Sequence, residues 1–125
     1  MKRAVLLVIT GAIACVPAAW GGEKAKTTVT IDSAFYASGQ THWAGDIKSP
    51  VKECKNKRRV LIFRVRPGRD AKVGSTKSFR GVADRKNYFW THFEDGAAPT
   101  GKYYAKVKPT DKCQGGQSKT LRGPA

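Results

Sequence analysis

The sequence predicts an all-β fold, an antiparallel β-sandwich of about seven strands held by one disulfide. Three observations point there. From Lys24 onward, short apolar runs alternate at a period of two residues and are split by Gly, Pro, Asp and Ser clusters. From Lys24 onward no stretch carries a convincing apolar stripe at i, i+3, i+4 and i+7. Two widely spaced cysteines, Cys54 and Cys113, remain once an N-terminal leader is set aside.

The leader is the first element. Lys2 and Arg3 form a positive n-region ahead of the apolar run Ala4 to Ala14, which is followed by small residues and a proline. This is the layout of a secretory signal peptide, and the run is too short to span a bilayer. Ala19 and Gly21 suit the −3 and −1 positions of a cleavage site, which assigns residues 1–21 to the signal peptide; Val16 and Ala18 are a second choice. The alternative is lipid anchoring through Cys15, because "AIAC" matches a bacterial lipobox except that Ala12 stands where leucine is usual. Residues 22–125 then form a single domain, with an ordered core of about 26–122. An even pair of cysteines in an oxidising compartment reads as a disulfide, here Cys54–Cys113. Closing so long a loop stabilises a small domain by about 4 kcal/mol in the chain-entropy model.

The strands follow in order. "KTTVTI" (Lys26 to Ile31) is rich in β-branched residues. "THWAGDIKSP" puts Trp43, Gly45 and Ile47 on one side and His42, Ala44, Asp46 and Lys48 on the other. "RRVLIFRVRPG" is the clearest strand: Leu61, Phe63 and Val65 share the expected core face, opposite Val60, Ile62, Arg64 and Arg66. "GSTKSFRG" (Gly74 to Gly81) reads as one weaker strand. "NYFWTHF" sets Phe89, Thr91 and Phe93 against Tyr88, Trp90 and His92, and alternation does not say which face is inward. "KYYAKVK" places Tyr103, Ala105 and Val107 inward, with Lys102, Tyr104, Lys106 and Lys108 outward. A last short strand covers "SKTLR", Ser118 to Arg122.

Charge bounds the function. The chain has 24 Lys and Arg against 9 Asp and Glu; losing Lys2 and Arg3 leaves 22 basic residues and a formal charge of +13. Such a surface attracts polyanions at long range. Lys55, Lys57, Arg58 and Arg59 precede the clearest strand, and Arg64 and Arg66 end it. If that strand lies beside 102–108, Arg64, Lys106 and Lys108 join one cationic face with a steep salt dependence of binding. Tyr88, Trp90 and Tyr104 are the aromatic residues placed to stack on a ligand. The same rings, with Trp43, Phe63, Phe89 and Tyr103, also suit the space between two sheets. "KNKRR" matches a nuclear-import pattern, which a secreted protein cannot use.

"DGAAPTGKYYAKV" resembles the strand F region of immunoglobulin-like domains, with Tyr103 at the tyrosine-corner position and Ala105 where those domains carry a cysteine. Over roughly Thr27 to Arg122 the chain resembles small secreted bacterial sandwich modules of an actinobacterial type, immunoglobulin-like or transthyretin-like. The shared features are Trp43 to Pro50, Cys54, Arg59 to Leu61, Val73 to Ser75, Phe89-Trp90, Gly101 to Val107, Cys113 and Ser118. The resemblance implies the fold and carries no catalytic or ligand-binding residue onto this chain.

Chemistry beyond binding finds little support. His42 and His92 sit in matching contexts, with Asp46 or Glu94 as oxygen donors, but lack the spacing of a known metal site. No nucleophile-elbow or zinc-protease motif occurs. The expectation is a monomeric, non-enzymatic, secreted module without a cofactor or a transmembrane segment in its mature form. It would bind anionic envelope polymers or other polyanions weakly and non-specifically, with no dedicated nucleic-acid role. The alternative is a secreted cationic effector, antimicrobial or inhibitory; a metal-dependent enzyme comes third.

Overall fold

A computed structural model describes residues 23–124. The expected signal peptide and Cys15 lie outside the described residues. Among the described residues ten strands run in order: β1 (Thr28–Val29), β2 (Ser33–Ala37), β3 (Gln40–Lys48), β4 (Arg59–Arg64), β5 (Ala71–Lys77), β6 (Phe79–Arg80), β7 (Tyr88–Asp95), β8 (Gly101–Val107), β9 (Gly116–Gln117) and β10 (Leu121–Gly123). A 3-10 turn, Lys52–Cys54, precedes β4.

The strands make two five-stranded antiparallel sheets. In the first, β3 is flanked by β1 and β2 on one side and by β7 on the other, with β6 beyond β7. In the second, β4 lies between β5 and β8, and β9 and β10 share the far side of β8. The core fills the space between them. Val29, Ile31, Trp43, Ile47, Tyr88 and Trp90 face Val60, Ile62, Tyr103, Ala105 and Val107. The rings of Trp43 and Tyr103 meet across the sandwich, centroids 5.4 Å apart. Each large buried side chain of this kind contributes about 1.5–3 kcal/mol.

Packing is close enough that glycine is required at two points. A Cβ on Gly45 would sit 2.0 Å from the Thr30 carbonyl oxygen, and one on Gly74 would sit 2.3 Å from His92 Nε2. Gly45 thereby lets Trp90 bring its indole N–H to Thr30 O at 2.8 Å. That bond decides the inward face of β7, which alternation leaves open: Tyr88 and Trp90 point in, while Phe89 and Phe93 point out.

The face of β4 is the reverse of the expected one. Val60 and Ile62 are fully buried in the core, whereas Leu61 and Phe63 lie on the outer surface of the sheet and Val65 is exposed. Both alternating sets of this strand are apolar, so its own pattern is indifferent. The neighbouring strand decides, because Ile62 stands opposite Ala105 and the inward set of β8 is unambiguous.

"GSTKSFRG" also divides. β5 belongs to the second sheet and β6 to the first, with the chain crossing at the buried Ser78. The Ser78 hydroxyl donates to Lys55 O and accepts from the Arg58 N–H. The disulfide forms as expected, Cys54 to Cys113 with Cα atoms 5.5 Å apart, tying the 3-10 turn to the β8–β9 connection. Among the described residues, no helix is long and apolar enough to cross a membrane.

Candidate functional site

The two sheets divide the charge unequally. Strands β4, β5, β8, β9 and β10 carry seven cations (Arg59, Arg64, Lys72, Lys77, Lys102, Lys106 and Arg122) and no acid. Strands β1, β2, β3, β6 and β7 carry Lys48 and Arg80 against Asp46, Glu94 and Asp95. Six of the seven cations stand on the outer face of the second sheet, because each shares a register side with Leu61 or Phe63. Lys106 is opposite Leu61, Lys72 opposite Phe63, and Lys77 opposite Arg59. Among the described residues, the Lys or Arg ion pair present is Lys112–Glu53 at 3.8 Å, so the cations of this face have no carboxylate in direct contact.

At the centre of this face lies an apolar island. Leu61 and Tyr104 are buried, and the partly exposed Phe63 ring stacks on Tyr104 at 5.4 Å with 17° between planes. The Tyr104 hydroxyl donates to Asp70 Oδ2 at 2.7 Å. Burial, and then that bond to a carboxylate, push the Tyr104 phenol up to about 12. The same hydroxyl, followed by the Arg66 backbone N–H, holds Asp70 below the usual carboxylate range. Over the island runs a groove of about 510 Å³, floored by Leu61 and Phe63 and rimmed by Lys57, Arg59, Lys72 and Lys108, with the carboxylate of Glu53, the partner of Lys112, also in its lining.

The expected cationic residues therefore separate. Lys57, Arg59 and Lys108 meet at the groove, and Lys106 flanks it. Arg66 is exposed at the end of β4. Lys55 lies over the ring of Tyr88, the first residue of β7 in the other sheet, at 5.2 Å. Arg64 does not join Lys106 and Lys108. It stands opposite Tyr103 on the inner side, at the open end of the sandwich, with its Nε buried and unpartnered.

Arg58 is not a surface cation. It is 6% exposed and donates to Thr27 Oγ1 (3.1 Å) and to the carbonyls of Cys54 (2.8 Å), Lys108 (2.8 Å) and Gln114 (2.9 Å). Burial moves its pKa down from the ordinary arginine value, while four neutral acceptors satisfy its fork.

The aromatic expectation is corrected as well. Tyr88 and Trp90 are buried between the sheets, and Tyr104 is largely covered by Phe63 and its neighbours. The exposed rings include Phe35 and Phe93, which flank His42 on the first sheet at 4.8 and 4.7 Å, and Tyr36 and Phe79. His42 and His92 cannot share an ion. Trp43 lies opposite His92, so the two imidazoles fall on opposite faces of β3 and β7. His92 instead packs inward on Trp43 and lies 3.3 Å from Glu94. Among the described residues, no group of three or more His, Cys, Asp or Glu is placed to hold a metal.

Lys72, Lys77, Lys102 and Arg122 are members of the face that the basic cluster around residue 58 did not flag. Their signal was present for Lys102, an outward position on an alternating strand. It was weak for Lys72, whose strand begins earlier than its pattern suggests. The Tyr103 hydroxyl donates to the Pro99 carbonyl four residues upstream, bracing the β7–β8 corner. In comparisons with known proteins, no family model matches the chain and no curated protein matches it.

Proposed function

We propose that this protein is a secreted, non-enzymatic sandwich module of the immunoglobulin-like or transthyretin-like kind. It attaches to anionic polymers through the outer face of its second sheet. The observation that carries the reading is the segregation of charge: seven cations and no acid on the strands of one sheet, without a carboxylate partner for those on the outer face. Unpaired cations on one flat face release the counterions of a polyanion together, which favours binding at low salt. The disulfide supports an oxidising compartment. The bond from Tyr103 to Pro99 supports the tyrosine-corner assignment.

The test compares two variants of equal net charge on immobilised acidic glycan and on DNA. One carries Lys72→Glu, Lys77→Glu, Lys102→Glu and Arg122→Glu on the face; the other carries Lys24→Glu, Lys48→Glu, Lys52→Glu and Arg80→Glu elsewhere. The face variant should lose at least about tenfold in affinity at low salt, and wild-type binding should fall with a log–log salt slope of about −3 to −5. Equal losses in both variants would show that bulk charge, not this face, does the binding.

A further inference from the structure

The polyanion reading names a face but not a class of polymer, and the arrangement around the island narrows it. This step rests on that reading. Cations stand on both flanks of the apolar floor: Lys72 and Lys77 on β5, Lys102 and Lys106 on β8, with Arg59 at one end. Strands are about 4.8 Å apart, so the flanks, one strand to each side of β4, are separated by about 10 Å. That is the width of one extended chain lying over Leu61 and Phe63.

Three anionic partners meet this geometry differently. A bilayer presents a plane, and it cannot reach a floor recessed below a rim of Lys57, Arg59, Lys72 and Lys108. A DNA duplex would have to admit four paired strands, about 14 Å across, into a major groove about 12 Å wide, so only its backbone could touch the face. A single nucleic-acid strand carries its phosphates along one edge and its bases along the other, which leaves one flank of cations without a partner. An acidic sugar has an apolar ring face and bears its charges on the ring edges. In an extended chain, successive residues turn those charges to alternate sides. The ligand that matches an apolar floor between two cationic flanks has this form.

We infer that the groove over Leu61 and Phe63 is a subsite for an acidic glycan. A sugar ring lies on the Leu61–Phe63–Tyr104 island, and its carboxylate or sulfate groups pair with cations on both flanks. Arg59, whose guanidinium already reaches Ser75 Oγ at 3.1 Å, is the member suited to bidentate pairing.

Calorimetric titration of the mature protein tests this with three probes matched in charge: a sulfated uronic-acid oligosaccharide, an oligothymidylate, and vesicles of anionic phospholipid. The oligosaccharide should bind at least about tenfold more tightly than the oligothymidylate at the same salt. Phe63→Leu, which removes the ring without altering charge, should weaken the oligosaccharide several-fold and leave the oligothymidylate unchanged. Lys72→Ser with Lys106→Ser, one surface cation from each flank, should weaken the oligosaccharide more than either substitution alone. Equal affinity for glycan and oligothymidylate, indifference to Phe63→Leu, or a preference for vesicles would overturn the subsite while leaving the polyanion reading standing. Failure of all three probes at low salt would overturn both.

Discussion

Trp43 and Trp90 are both fully buried, yet their indole nitrogens differ: Trp90 Nε1 donates to Thr30 O, whereas Trp43 Nε1 has no partner. Phenylalanine at position 90 forfeits a made hydrogen bond and strands a carbonyl; at position 43 it removes a donor that was already unsatisfied. Trp90→Phe should therefore cost about 1 kcal/mol more than Trp43→Phe in urea unfolding. The pair Tyr104–Asp70 gives a second prediction at this scale. Phenolate absorbance should place Tyr104 near 12, and Asp70→Asn should lower that midpoint only in part, because burial raises it independently of Asp70. Above its unfolded value of about 10 the folded state holds this proton more tightly. The stabilisation from Tyr104 is thus complete below pH 10 and fades as pH rises through 12. Asp70 has the opposite sign. Its pKa is depressed in the fold, so its contribution is present above the ordinary carboxylate range and disappears as pH falls through the folded value.

Among the elements, the start of β4 does the most joining. The Arg58 guanidinium holds the N-terminal segment at Thr27, the 3-10 turn at Cys54 and the β8–β9 connection at Lys108 and Gln114, beside the disulfide that links the same turn and connection. Arg58→Ala would leave four acceptors short at once and should cost about 3 kcal/mol or more. Arg58→Lys should recover little of that, since an ammonium lacks the planar fork that spans these acceptors. Thermal unfolding of the oxidised protein distinguishes the two outcomes. Lys72 and Lys77 have an elemental role as well as an electrostatic one. They sit on the edge strand β5, where the register shifts beside Ile62 and Phe63; charge and irregularity both discourage pairing with another chain.

At the scale of the whole molecule, the two outer surfaces have different characters. The second sheet is cationic around a small apolar island, while the first carries the exposed rings of Phe35, Phe93 and Phe79 with few cations. A polyanion approaching this molecule meets a field with a direction, so the docked protein would turn its aromatic sheet outward. The face variant and the control variant differ only in which surface loses charge, and their comparison reads this asymmetry directly.

Much of this was legible in the chain. Turn clusters and period-two runs specify short strands, an even pair of cysteines specifies the staple, and "KYYAKVK" specifies its own inward face because its outward set is nearly all lysine. The inward faces of β4 and β7 were not legible, since both alternating sets are apolar there and a strand's own pattern then has no preference. Pairing decided them: Ile62 opposite Ala105, and Trp90 within reach of Thr30. Arg58 and Arg59 are adjacent and equally charged in the sequence, yet one is a buried strut and the other rims the groove. The sequence by itself determined the fold class, the staple and the excess of positive charge. Only the tertiary structure decided which cations share a surface, because that depends on which side of each strand its neighbours bury.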